Sequence, residues 1–215
     1  MIFKKIEEVQ DVYPESLEGT DEWYFSKIAK DIFCDLYEAE DIVKKTGNYE
    51  GMNCILIHFP DGKAYRLFEE KKNQYVESPV YLDGMIYFLV VNFDDKQMEI
   101  ISWNPQTEMK NTLTKISLDE VEDCYNLRLI VSPLTLVRQG SEREVQVIWP
   151  EKAVLEERSN EALVLRDNND FYFSRWSENP IYQEEVVIRD IKTGYIKEKF
   201  RGQLMRMPNG EVWIL

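Results

Sequence analysis

The chain is poor in the residues that catalytic and metal-binding motifs are built from. Of its 215 residues only one is histidine, and its three cysteines, Cys34, Cys54 and Cys124, lie far apart with no CxxC pair. A structural zinc site is disfavoured on that count, and an odd, sparse set of thiols reads as reduced cysteines buried as small hydrophobes in a cytoplasmic protein. Nine glycines include no phosphate-cradling loop, and Gly-x-Ser-x-Gly does not occur. No apolar run approaches the roughly 18 residues of a membrane helix. The opening MIFKKIEEVQDVYPE meets a Glu pair after one hydrophobic triplet, so it does not read as a secretory leader. Basic residues are also short, at 26 against 40 acidic, a net charge of −14. That sign repels nucleic acid and anionic membrane, so neither is an expected partner.

What is present is an ordinary folded composition, 44% hydrophobic and 13% aromatic. It suits one large or two small domains with a real core. The stretch Pro79–Ser117 prints a structural unit: four short apolar or alternating runs separated by Asp83-Gly84, Asp94-Asp95-Lys96 and Asn104-Pro105. Asp-Gly between hydrophobic runs is a hairpin signal, because the primed turn needs positive φ where glycine moves freely. The stretch therefore predicts a four-stranded antiparallel meander.

Four such turns recur along the chain. They stand at CILIHF-PDG-KAYRLFEE around Asp61, MEIISW-NPQT-EMKNTLT around Pro105, VQVIW-PEK-AVLEER around Pro150 and EVVIRD-IKTG-YIKEKF around Thr193. The intervals are 44, 45 and 43 residues. One interval back from Asp61 falls near Leu17, in another polar turn segment. The C-terminus supplies two short runs, Gln203–Met207 and Glu211–Leu215, joined by Pro208-Asn209-Gly210. Half a unit at each end makes one whole unit. The runs MIYFLVVNF and LRLIVSPLTLV are apolar on both faces, as expected of sheets sandwiched between neighbours.

With Trp103-Asn104-Pro105 and Asp190-Ile191-Lys192-Thr193-Gly194 as its turn segments, this pattern resembles the five-bladed β-propellers. That superfamily includes small lectins and sugar-cleaving enzymes. The resemblance implies an all-β ring of five four-stranded blades of about 43 residues: 31–70, 79–117, 121–158, 161–201, and a composite of 203–215 with 1–28. Within the first blade, KIAKDIFCDLYEAEDIVKK also places Ile32, Phe33, Leu36, Tyr37 and Val43 near helical spacing, so residues 28–46 read as strand or as helix.

Candidate sites follow from residue types. His58 shares a strand face with Cys54, but four residues along a strand span about 13 Å, too far to share a proton. Sugar-cleaving propellers project acids from innermost strands into a central funnel, which nominates Asp35, Glu122, Asp123 and Asp167. Such an enzyme needs two carboxyls about 5–10 Å apart, one kept protonated. Asp167-Asn168-Asn169-Asp170 lacks the glycine and distant glutamate of a calcium loop and reads as a hairpin turn. Trp103 and Trp149 occupy matching strand ends, suited to packing between blades or to repeated aromatic platforms, and Trp176 and Tyr182 flank an exposed-looking turn. No cofactor or metal is implied. The favoured function is a non-catalytic module binding a protein of basic surface, with a lectin-like carbohydrate binder and a glycosidase-like hydrolase as alternatives.

Overall fold

The computed structural model describes residues 3–9, 12–140, 144–156, 160–178 and 180–215. They are mostly β, in several sheets that are antiparallel apart from one parallel pairing, Met52 with Tyr75, and the chain divides into two compact units, 1–119 and 120–215.

The first unit is built on nine strands: β1 (Glu15–Ser16), β2 (Trp23–Ala29), β3 (Met52–His58), β4 (Ala64–Arg66), β5 (Gln74–Val76), β6 (Val80–Leu82), β7 (Met85–Asn92), β8 (Gln97–Asn104) and β9 (Met109–Ser117). The path runs β1-β2-β3-β5-β7-β8-β9, with β4 on β3 and β6 on β7. Residues 80–117 form an antiparallel meander, β6 to β9. Its first turn places Asp83 at φ 50° and Gly84 at φ 78°, the left-handed pair that a primed hairpin requires. The core face gathers Trp23, Leu56, Phe88 and Trp103.

Residues 31–46 are not a strand. Helix α1 (Leu36–Thr46) takes up all but the first five of them. Asp35 is its N-cap, the Glu38 carboxylate accepts the Asp35 N–H at 2.8 Å, and Gly47 closes the helix in the left-handed conformation. A reciprocal cap at one end and a glycine at the other satisfy the terminal backbone groups, and that local chemistry overrides the strand reading. The expected blade over 31–70 is corrected accordingly: its sheet takes β2, ahead of the helix, and pairs it antiparallel with β3, from Trp23↔His58 to Ala29↔Met52.

The second unit holds β10 (Arg128–Ile130), β11 (Thr135–Gln139), β12 (Glu144–Trp149) and β13 (Ala153–Glu156) in one sheet, and β14 (Glu161–Asp167), β15 (Asp170–Ser177), β16 (Gln183–Asp190) and β17 (Ile196–Arg201) in another. Residues 157–159, at the end of the expected 121–158 unit, lie outside the described residues. Phe171, Phe173 and Val187 meet Val137, Val145, Val147 and Leu155 in a shared apolar core. Gln139 joins the two sheets with both ends of its amide. Its Nε2 donates to the Glu161 carbonyl at 2.8 Å and its Oε1 accepts the Leu163 N–H at 3.0 Å.

The chain ends in a hairpin, β18 (Leu204–Arg206) with β19 (Val212–Ile214). Among the described residues these two strands form a sheet of their own, and β2 lies between β1 and β3. Among the described residues, the composite sheet expected of residues 203–215 and 1–28 is therefore not seen. Residues 7–9 are a short 3₁₀ turn, and Lys4 donates to the Pro60 carbonyl at 3.2 Å, so this part of the N-terminal segment lies along the β3–β4 turn. Residues 1, 2, 10 and 11 of that expectation lie outside the described residues.

Candidate binding surface

The β14–β17 sheet has two unlike faces. Cross-strand partners share a face, so the register sorts its residues. Phe171, Phe173 and Val187 point into the unit's core. On the other face, Tyr172 stands opposite Ile188 and Ser174 opposite Val186, while Val186 is in turn opposite Phe200. Trp176 continues this row two residues on, opposite Glu184.

The terminal hairpin rises beside that face. After β17 the backbone turns at Gly202, whose φ is 127° and whose N–H donates to the Glu184 carbonyl at 2.9 Å. A β-carbon there would lie 2.2 Å from the Leu215 carbonyl oxygen, so only glycine lets the hairpin sit where it does. Between the sheet face and the hairpin runs a groove of about 380 Å³. Tyr172, Ile188 and Phe200 form one wall and Leu204, Val212 and Ile214 the other. Asp170, Lys197 and Glu198 stand at its rim.

The rim is acidic and well ordered by hydrogen bonds. The Asp190 carboxylate accepts N–H bonds from Thr193 and Lys192 and the Thr193 hydroxyl, and lies 3.3 Å from Lys197. Those bonds, the Thr193 backbone first, hold its pKa down at about 2. Lys197 also pairs with Asp170, which pushes the amine upward. The Tyr172 hydroxyl is pushed up by burial and then by the negative charges of Asp167, Asp170 and Glu198. Lys197 acts on it in the opposite sense, and Glu198 stands at the same rim.

Trp176 and Tyr182 are exposed, at 42% and 57%. The Tyr182 hydroxyl donates to Glu184, the residue opposite Trp176 in the strand register. That bond raises the Tyr182 hydroxyl. Asn179, in the connection between them, lies outside the described residues.

The other sequence-nominated residues go elsewhere. Trp103 is 0% exposed and cannot be a surface platform: its ring packs edge-on to Trp23 at 5.3 Å and against Tyr65 at 4.9 Å. The bulk that suggested a contact residue is what fills the core of the first unit. Trp149 is half-buried at the end of β12, opposite Leu136. Asp35 caps α1 and belongs to no strand. Glu122 and Asp123 precede β10, in no strand, and both face the buried Arg138. Its Nη2 lies 2.8 Å from Asp123 and 3.8 Å from Glu122. Asp167 ends β14 opposite Asp170, in the hairpin turn where Asn168 takes φ 51°. These acids cap, brace and turn. His58 contacts Asp61 through Nδ1 at 2.9 Å and its ring lies 4.6 Å from Trp23, while the buried Cys54 thiol is directed at the Ile55 carbonyl. Burial raises the Cys54 thiol, as it does Cys34.

Sequence reasoning missed the groove wall at Leu204, Val212 and Ile214. The signal was the uncharged run Val212-Trp213-Ile214-Leu215, apolar at every position and so suited to neither a solvated edge nor a turn. Its exposure, 40% or more at each of the four, is visible only in three dimensions.

No protein-family model matches the chain, and no curated protein does. Among solved structures, a chain in the crystal structure of a nidogen/laminin complex is similar at a TM-score of 0.45 and 15% identity, covering 89% of this chain and 65% of that one. A prolyl endopeptidase, from a study of two such enzymes, is similar at 0.45 and 13%, covering 94% and 27%. This chain thus spans less than two thirds of either. At those scores the likenesses add nothing to the fold as described.

Proposed function

We propose that this chain is a non-catalytic protein-binding module that takes its partner on the outer face of the β14–β17 sheet. One observation carries the reading. An open groove of about 380 Å³ is walled by aliphatic and aromatic side chains from two sheets, and its row continues to the exposed Trp176. Exposed, contiguous apolar surface with a polar rim is costly to leave in water and characterises interaction sites. Aliphatic walls suit side chains of a protein better than the hydroxyls of a sugar, which need directed polar partners as well as a ring to stack on. The buried Trp103 also removes one member of the repeated aromatic platform that a lectin would require.

We read the sheets as blades of a propeller. The support is the regular turn spacing together with the meanders at 80–117, 128–156 and 161–201. Three free, buried thiols support a reducing compartment such as the cytoplasm.

Capture from a native lysate on immobilised protein tests the reading, with Trp176→Ala and Ile214→Glu as controls and a glycan panel in parallel. A protein retained by the native chain and lost from either variant is the expected result. Glycan binding above one site per chain, with no protein captured, would replace it with the carbohydrate reading.

A further inference from the structure

Resting on that reading, we propose that the groove's occupant is an extended, basic segment of the partner, which adds to β19 as a strand and lays alternate apolar side chains against Tyr172, Ile188 and Phe200. Three observations lead there.

The first is backbone geometry. Gln203 and Leu215 exchange N–H···O bonds at 2.9 Å, and the Met207 N–H donates to the Glu211 carbonyl at 2.7 Å. Bonded and non-bonded pairs alternate in an antiparallel ladder, so the N–H and C=O groups of Val212 and Ile214 turn away from β18. The side chains of those same two residues line the groove. A strand hydrogen-bonded to that edge would have every second residue directed over the groove.

The second is the lack of guarding on this edge. Sheet edges are normally protected by lysine, proline or a bulge. The long outer strand β9 carries Lys110 and Lys115 and a register shift opposite Ile100/Ile101. Val212–Ile214 contains neither residue type, and all three side chains are exposed.

The third is charge. The rim presents Asp170 and Glu198, and its lysine, Lys197, is already held by Asp170 and Asp190. A second copy of this chain, at a net charge of −14, would bring like charges to that rim, whereas a lysine- or arginine-bearing segment complements it.

The test is selection of random twelve-residue peptides displayed on phage against the immobilised full chain, followed by anisotropy titration of the recovered sequences. The expected peptides alternate apolar residues with Lys or Arg. Their Kd should rise about tenfold or more with Ile214→Glu, and severalfold with Glu198→Lys or in about 0.5 M salt. Phe200→Ala serves as a second groove variant should Ile214→Glu lose its native melting transition. No enrichment, enrichment of acidic peptides, or equal binding to the native chain and both groove variants overturns the proposal. A concentration-dependent dimer abolished by Ile214→Glu overturns it as well, and gives the edge to a second copy. If lysate capture still depends on Trp176 while peptide selection fails, the binding-module reading stands and this occupant falls.

Discussion

The two units carry thirteen basic residues each and use them in opposite ways. Residues 1–119 have twelve lysines and one arginine; residues 120–215 have four lysines and nine arginines. In the first unit most lysines lie at the surface, some paired along α1 as Lys44–Glu40 and Lys45–Asp41, and the interior is held by packed rings and aliphatic chains. Lys27 is the inward exception, donating to the Tyr75 hydroxyl at 3.2 Å and lying 3.5 Å from Glu77. In the second unit three arginines, Arg138, Arg166 and Arg189, are almost wholly buried. Arg189 reaches Glu161 at 2.9 Å, the Glu156 carbonyl at 2.7 Å and the Gly194 carbonyl at 3.2 Å, and lies over the Phe173 ring. Arg166 donates to the Thr135 hydroxyl and the Asn168 carbonyl and pairs with Glu151. A planar fork of five donors can tie three chain segments at once, which an ammonium cannot do in fixed geometry. The lesson is that small four-stranded sheets, with less apolar surface to bury than one nine-stranded sheet, are cross-braced by arginine.

Breaking that brace should show the largest effect. Arg189→Ala leaves the Glu161 carboxylate buried without its close partner and should destabilise by about 3–5 kcal/mol in urea titration, whereas joint replacement of Arg189 and Glu161 by methionine should recover most of the loss. A cost below about 1 kcal/mol for the single change would erase the contrast between the units. Trp103→Ala tests the other side and should cost about 3–5 kcal/mol, because it opens a cavity beneath Trp23 and Tyr65. Smaller is Asp35→Ala, which removes one half of the reciprocal helix cap; about 1 kcal/mol is expected, with Asp35→Asn largely restoring it. Smallest is an acid effect at the groove rim. The folded-state pKa of Asp190 is depressed from 3.8 to about 2, so the carboxylate contributes stability present above pH 4 and lost as the pH falls from 4 towards 2. Asp190→Asn should flatten the melting temperature across that window, and an unchanged slope would remove Asp190 from the account.

What was legible in the sequence was local. Asp83-Gly84, Asn104-Pro105, Pro150, Asn168-Asn169 and Asp190–Gly194 all mark hairpin turns, because turn chemistry is settled by two to four adjacent residues. Helix α1 was half legible. Its amphipathic spacing is visible in the sequence, and Asp35-x-x-Glu38 and Gly47 cap it at both ends, but the regular turn spacing on either side favours a strand there. The pairing of β2 with β3 across that helix, and of Asp123 with Arg138 fifteen residues on, depends on where separated segments meet, and residue type carries little of that. The groove was hidden for the same reason. Trp176 and Tyr182 were recognised as exposed, yet the wall at Val212 and Ile214 acquires meaning only from the hairpin's turn at Gly202.

Gln139 gives both a donor and an acceptor to the neighbouring strand, so its amide stands in for a peptide group between the two sheets of the second unit. Hydrolysis to glutamate would keep the oxygen that receives Leu163 and replace the nitrogen that reaches Glu161 with a second oxygen facing a carbonyl. A change of one mass unit at one side chain would turn that rung from attraction to repulsion. The join therefore depends on the identity of a single side-chain atom.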